Sequence, residues 1–228
     1  MLSKDIFRFF NELAQNNHKE WFDAHRKEYE AVRRNFLEFT TEMIGRISEF
    51  DPGVRGLEAS KCMFRINRDV RFSKNKDPYK THIAFSITPG GKKTEHAGYY
   101  FQMMQGDCFT GGGLYAPMPN VLRAIRNEVY YRPDEFLRIM NNRDFKKTFG
   151  GLTDFEKLKK SPKGFEDASE KIMPYLLHKH FVVSVTFKDS DVTKADFAER
   201  LAGTYRLQRP FIQFVNEAID AIEEEPVL

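Results

Sequence analysis

The residues best suited to chemistry lie in the stretch from Lys61 to Lys80, where cations are crowded together. Seven lysines and arginines against two aspartates give this stretch a net charge of +5, whereas the whole 228-residue chain carries only +3. The positive charge is therefore concentrated in one segment. Guanidinium and ammonium groups hold phosphates and carboxylates through charge-assisted hydrogen bonds. The stretch therefore predicts a site for an anion.

The alternation of apolar and polar residues predicts a strand over Cys62–Asn67. Phe64 and Ile66 are then expected to be buried, with the neighbouring polar side chains on the opposite face. If the strand continues to Phe72, that polar face carries Arg65, Asn67, Asp69 and Arg71. We expect the arginines to grip the anion and Asp69 to orient one of them. The alternative is a hydrated sheet face with cross-strand ion pairs.

Arg68 is expected to anchor the site. In a regular strand it would lie on the apolar face, unless the chain turns at Asn67–Asp69. An arginine in that position cannot lose its charge, so it must find an anion. The partner is either an internal carboxylate such as Glu20 or a ligand.

The loop Phe72–Thr81 follows the arginines and combines turn-forming residues with further cations. It is interpreted as a lid or a contact loop, in which Tyr79 supplies a stacking ring, or as a plain solvated loop. The candidate ligand-binding residues are Arg65, Asn67, Arg68, Arg71, Lys74, Lys76, Tyr79 and Lys80. His82 comes next and is expected to titrate near neutral pH as a general acid or base. Asp69 is the other weak catalytic candidate.

The remaining chemistry-bearing residues favour structural roles. Gly111–Gly113 matches no phosphate-binding loop, and we expect it to bend a strand. His178 and His180 have no third ligand nearby, so no metal site is expected, and no cofactor is expected either. Cys62 and Cys108 show no metal-ligand spacing and are interpreted as buried thiols in a reducing cytosol.

Hydrophobic periodicity predicts the elements that must position these residues. Helices are expected near the N-terminus, with the second running from Lys19 to Ser48. Strands are predicted at Ile83–Thr88, Gly98–Met104 and Cys108–Gly112, and their short connections require antiparallel pairing. Helices then follow, Phe181–Phe187 is predicted as a central strand, and Pro210 is expected to start the last helix.

The predicted fold class is α+β. An antiparallel sheet of roughly five or six strands carries an N-terminal helical hairpin and C-terminal helices packed on it. Residues 1–228 are assigned to one domain, with a helical opening (1–50), an antiparallel meander (60–115), and helices plus one further strand (118–228). No signal peptide or membrane-spanning run is found in the sequence, so a soluble cytoplasmic protein is expected.

Several motifs resemble a widespread bacterial and fungal family of conserved hypothetical proteins, which is a domain of unknown function. The motifs are Asn17–Phe22 (NHKEWF), Phe64–Ser73 (FRINRDVRFS), Asp77–Thr81 (DPYKT), Gly98–Tyr100, Gly111–Leu114 (GGGL) and Phe145–Gly151 (FKKTFGG). The resemblance extends from Phe7 to about Ala218. It implies a single-domain assignment and carries over no activity.

Three functions are compatible with the basic stretch. The first is binding of a small phosphorylated or carboxylated ligand, with or without catalysis. The second is a nucleic-acid-associated module that uses the same patch and Lys157–Lys163, and the third is a protein-interaction domain without a ligand. A small-molecule site requires the arginines to converge in a concavity with Trp21 or Tyr79 nearby.

Overall fold

The described residues form an α+β fold with one antiparallel sheet of four strands. The computed structural model describes residues 1–92 and 94–224, so the last four residues of the predicted region 118–228 lie outside the described part. The strands are β1 (Ile83–Ile87), β2 (Gly98–Met103), β3 (Cys108–Leu114) and β4 (Phe181–Phe187), in the order β1-β2-β3-β4. The fold class is therefore confirmed, whereas the expected five or six strands exceed the four present in the described residues.

Helices precede the sheet, fill the long connection between β3 and β4, and follow β4. Those before the sheet are α1 (Asp5–Gln15), α2 (Lys19–Ala24), α3 (Arg26–Ser48) and α4 (Ala59–Cys62). Those after β3 are α5 (Pro119–Tyr131), α6 (Pro133–Met140), α7 (Arg143–Phe149), α8 (Met173–Leu176), α9 (Asp189–Val192) and α10 (Phe197–Glu224).

The predicted strand at Cys62–Asn67 does not form. Cys62 ends α4, and only single bridges follow, from Met63 to Phe85 and from Asn67 to Tyr79. Because the two ends of this short segment pair with different parts of the chain, no continuous ladder can develop. The predicted register is therefore wrong for Phe64, which is 40% exposed while Met63 is buried, whereas Ile66 is buried as expected.

The strand β4 lies at an edge of the sheet and not at its centre. Short connections keep β1, β2 and β3 side by side, and β4 pairs with the outer edge of β3. Phe181 and Val183 are fully buried, while Val182 between them is half-buried. A strand with one buried face produces this pattern.

Two helix boundaries also differ from the prediction. The expected long second helix is divided at His25, whose ring stacks on Trp21 at 3.9 Å while its Nδ1 donates to the Trp21 carbonyl oxygen (2.8 Å). At the other end of the chain, α10 continues through Pro210 without a break. An interior proline costs a helix about 3 kcal/mol. Phe211 and Ile212 are completely buried just beyond it, and their packing offsets that cost.

The chain divides into two compact units, and the first contains the predicted anion site. It comprises Met1–Ile87, Tyr100–Thr110 and Thr186–Gly203. Phenylalanine rings form its core: Phe36 of α3 lies 5.9 Å from Phe85, and Phe85 lies 5.8 Å from Phe101. Phe197 of α10 contacts Phe101 at 5.4 Å, so one face of the sheet in this unit is covered by helices.

The second unit comprises Thr88–Tyr99, Gly111–Val185 and the chain from Thr204 onward. Its core is also aromatic, with Phe136 against Phe214 (5.4 Å) and Tyr99 against Tyr205 (5.1 Å). Gly113 has a φ of +119°, and a Cβ there would overlap the Phe181 carbonyl oxygen. The triple glycine therefore permits close approach of β3 to β4 in this unit.

Candidate functional site

The basic stretch folds back on itself as a short two-stranded ribbon. Lys80 N donates to Ile66 O (2.8 Å), and Arg68 N donates to Pro78 O (2.9 Å). The residues between these pairs, 69–77, form the loop that closes the ribbon. A further bond from Phe64 N to Ala84 O (3.0 Å) joins the same segment to β1. The backbone that leads to Arg68 is thus fixed by pairing at residues 64, 66 and 68.

Asn17, which precedes α2, clamps the ribbon to the N-terminal helices. Its Oδ1 accepts from Tyr79 N (3.1 Å), and its Nδ2 donates to Tyr79 O (3.0 Å). The Tyr79 ring is 7% exposed and stacks on Phe22 at 4.2 Å. Tyr79, the expected ligand-stacking ring, therefore stacks within the protein on Phe22 and exposes little surface.

A pocket of about 180 Å³ opens where the ribbon meets the start of β1. Two permanent cations, Arg68 and Lys80, are among the eight residues that line it. The others are Asn17, Asn75, Asp77, Tyr79, Thr81 and His82. Asp77 is the only acid among these lining residues, and its Oδ2 already accepts from Asn75 Nδ2 (2.9 Å). The lining therefore keeps a net positive charge.

Arg68 is half-buried, and its guanidinium is held by neutral acceptors. Nη1 donates to Asp77 O (2.9 Å) and Nη2 donates to Ser73 Oγ (3.3 Å). Within residues 1–92 and 94–224, no carboxylate forms an ion pair with it. The expected internal partner, Glu20, instead pairs with His18 (3.1 Å). Arg68 is thus a half-buried cation whose charge is not neutralised by an acid in the described chain.

Two further basic groups line the pocket beside Arg68. Lys80 Nζ donates to the backbone oxygens of Arg65 and Asn67, which ties the ribbon together. Burial lowers the pKa of His82, Lys80 lowers it further, and Asp107 opposes them. The expectation that His82 titrates near neutral pH is therefore corrected downward, and the imidazole is neutral at pH 7.

The other predicted arginines do not converge on this pocket. Arg71 forms a bidentate pair with Asp69, with Nη2 2.7 Å and Nε 3.0 Å from the carboxylate oxygens. The pair is exposed, and hydrogen bonds from Arg71 hold the pKa of Asp69 below its usual range. Neither residue lines the pocket, and neither does Arg65. Asp69 does orient an arginine, as expected, but at a distance from the pocket.

The lysines of the loop are placed differently from one another. Lys76 Nζ donates to Val70 O (2.9 Å) and so stabilises the loop. Lys74 is exposed. Neither of these lysines lines the pocket, and Asn67 does not line it either. Of the eight predicted ligand-binding residues, the structure brings together Arg68, Tyr79 and Lys80.

Sequence reasoning missed four residues of the lining: Asn17, Asn75, Asp77 and Thr81. Asn75 and Asp77 form a local turn, since Asp77 N donates to Asn75 Oδ1 (2.7 Å), and their turn chemistry was visible in the sequence. Asn17 lies 62 residues before Tyr79 in the chain, so no local pattern could connect the two.

Comparison with protein families matches residues 5–214 to the model described as "Conserved hypothetical protein (DUF2461)". The chain belongs to this family. Membership in DUF2461 confirms the resemblance seen in the sequence, and the match includes every residue that lines the pocket. No curated protein and no solved structure matches the chain. Across the part of this DUF2461 protein that the structure describes, no helix is both long and apolar enough to cross a membrane.

Proposed function

We propose that this protein binds a small ligand bearing a phosphate or carboxylate group, and that the anionic group occupies the pocket at Arg68. One observation carries the proposal: Arg68 is half-buried at a pocket and its guanidinium has only neutral acceptors in the described chain. A guanidinium has five N–H donors, and the two observed bonds leave others for a ligand. Desolvating such a cation is unfavourable unless an anion joins it.

The pocket volume is large enough for an anionic group of a ligand but not for a whole ligand. Pockets that enclose a drug-sized molecule have volumes of roughly 300 Å³ or more, whereas this one has about 180 Å³. It therefore suits a phosphate or a short carboxylate, with the rest of the ligand extending outside. Lys80 adds a second positive charge, and Asn17 and Thr81 add polar groups to the lining.

His82 determines how binding depends on pH. Its imidazole is neutral when the pocket is empty of anions, because burial lowers its pKa. A bound anion favours the charged imidazole, so binding raises this pKa. His82 is also the lining residue whose protonation can change most readily during a reaction, although the proposal itself concerns binding.

The test is an NMR titration with inorganic phosphate. We expect shifts of the His82 ring signals and of the Arg68 Nε–H signal, together with a higher His82 pKa at saturation. His178, in the other unit, provides the internal control and should keep its signals. If millimolar phosphate moves neither His82 nor Arg68, the pocket does not bind anions and the proposal fails.

A further inference from the structure

The first unit has aromatic residues on the sheet face opposite its helices. Phe85 and Phe101 contact the core, so the alternate residues of β1 and β2 point the other way. On this outer face, Tyr100 lies 6.0 Å from Phe64 and 5.4 Å from Phe109, measured between ring centroids. We call Phe64, Tyr100 and Phe109 the aromatic row.

The row is continuous because a small residue lies beneath it. Phe64 is bonded to Ala84 of β1, and Tyr100 comes from β2 on the other side of that strand. The alanine methyl lets the two rings meet across β1. Phe64 is 40% exposed, while Tyr100 and Phe109 are half-buried. The row therefore presents apolar ring surface to solvent.

Hydrogen bonds fix the orientation of the central ring. The Tyr100 hydroxyl donates to Gln102 Oε1 (3.0 Å), and Gln102 Nε2 donates to Asp107 Oδ2 (3.2 Å). Burial raises the pKa of Tyr100 to about 12, so the ring stays neutral at physiological pH. A ring held in this way loses little conformational freedom when another ring stacks against it.

The aromatic row and the Arg68 pocket share one frame. His82 lines the pocket and precedes Ala84 by two residues, which is about 7 Å along an extended chain. Phe64 and Arg68 lie on one short segment, which Lys80 holds through the backbone oxygens of residues 65 and 67. The pentose of a nucleotide would connect a base on the row to a phosphate in the pocket.

We propose that the ligand is a mononucleotide, whose base stacks on the aromatic row and whose phosphate lies in the Arg68 pocket. This inference rests on the proposed anion-binding function and specifies its ligand class. Bases stack on aromatic side chains with little dependence on their identity, because every base has a π-face. The row therefore supplies affinity for a nucleobase, and the cations supply affinity for the phosphate.

The distribution of charge favours a mononucleotide over a nucleic-acid strand. A strand requires cations repeated along its backbone. Here Arg71 is paired with Asp69, and Lys76 is bonded to Val70 O within the loop. Of the remaining cations, Arg68 and Lys80 share one pocket that has room for a single phosphate, whereas Arg65 and Lys74 lie outside it.

The experiment compares affinities for inorganic phosphate, ribose 5-phosphate and the nucleoside 5′-monophosphates by isothermal titration calorimetry. Base stacking should make the nucleotides bind about tenfold tighter than ribose 5-phosphate. If phosphate and ribose 5-phosphate bind but nucleotides bind no tighter, this inference is overturned and the anion site stands. If none of these ligands binds, the anion site itself fails.

Two variants locate the base. Phe64→Leu removes a ring of the row while keeping apolar contact, and it should remove most of the nucleotide's advantage over ribose 5-phosphate. Phe155→Leu makes the same change at a partly exposed phenylalanine outside the row and should leave affinity unchanged. Equal nucleotide affinity in both variants overturns the assignment. Tight binding of a single-stranded oligonucleotide with none of any mononucleotide also overturns it, in favour of a nucleic-acid surface.

Discussion

His178 should make the protein less stable in acid by an amount that the structure allows to be calculated. The residue is 5% exposed, and its Nδ1 is buried with no hydrogen-bond partner within the described residues. Burial is the main cause that lowers its pKa from 6.5 to about 4, and Lys157 lowers it further. The unfolded chain therefore binds a proton at a higher pH than the folded protein does.

The sign and size of this change in unfolding free energy follow from proton linkage. Between pH 6.5 and about 4, the unfolded state binds more protons at this site, so stability is full above that range and falls as the pH falls through it. One pKa unit corresponds to about 1.4 kcal/mol. His178 should therefore cost about 2 kcal/mol of unfolding free energy between pH 7 and pH 5, and about 3 kcal/mol by pH 4.

The assay is urea unfolding of the wild type and of His178→Leu across this pH range. Other groups titrate there too, so the informative quantity is the difference between the two pH profiles. The wild type should lose about 2 kcal/mol more than the variant between pH 7 and pH 5. Parallel profiles would refute the reasoning, as would an NMR pKa for His178 close to 6.5 in the folded wild type.

Three further outcomes are expected. Gly113→Ala should prevent stable folding or cost at least about 4 kcal/mol, because its Cβ meets the Phe181 backbone. Gly150→Ala also changes a glycine with positive φ but meets no atom within 4 Å, so thermal unfolding should show a loss of only about 1 kcal/mol. Asn17→Ala removes both bonds to Tyr79 and should cost about 2 kcal/mol in denaturant unfolding; an unchanged midpoint would contradict the clamp. Phosphate itself gains a proton near neutral pH, so the informative quantity is the ratio of wild-type to His82→Gln affinity, which should rise as the pH falls below neutral; a ratio that does not change with pH would exclude His82 from the anion site.

Local signals predicted most of the sheet correctly. The predicted ends of β1, β2 and β3 agree with the structure to within two residues. Turn residues separate these strands, and their connections are too short for parallel pairing. The segment Cys62–Asn67 has the same alternation but no single partner strand. Its burial is decided by Phe85 and Tyr79, which pair with its two ends. Periodicity within the segment could not reveal that division.

The charge of the sequence indicated the candidate site, but the geometry of its pocket depends on distant partners. The sequence identified Arg68 and Lys80 correctly as neighbours of a turn-rich loop. The sequence could not show that Arg71 pairs with Asp69 outside the pocket, because other arginines lie equally near Asp69 in the sequence. Asn17 lies beside the pocket only because α2 packs against the ribbon. Long-range contacts of this kind are set by the whole fold and not by local pattern.

The central claim is that Arg68 binds an anion, and calorimetric titration of inorganic phosphate into three proteins tests it most directly. The wild type should bind, and Arg71→Met should bind equally well, because Arg71 is paired with Asp69 outside the pocket. Arg68→Met should lose at least about tenfold in affinity, since a hydrogen bond to a charged group is worth about 1.5–3 kcal/mol. Circular dichroism checks that both variants are folded. Equal phosphate affinity in the wild type and in folded Arg68→Met would contradict the account.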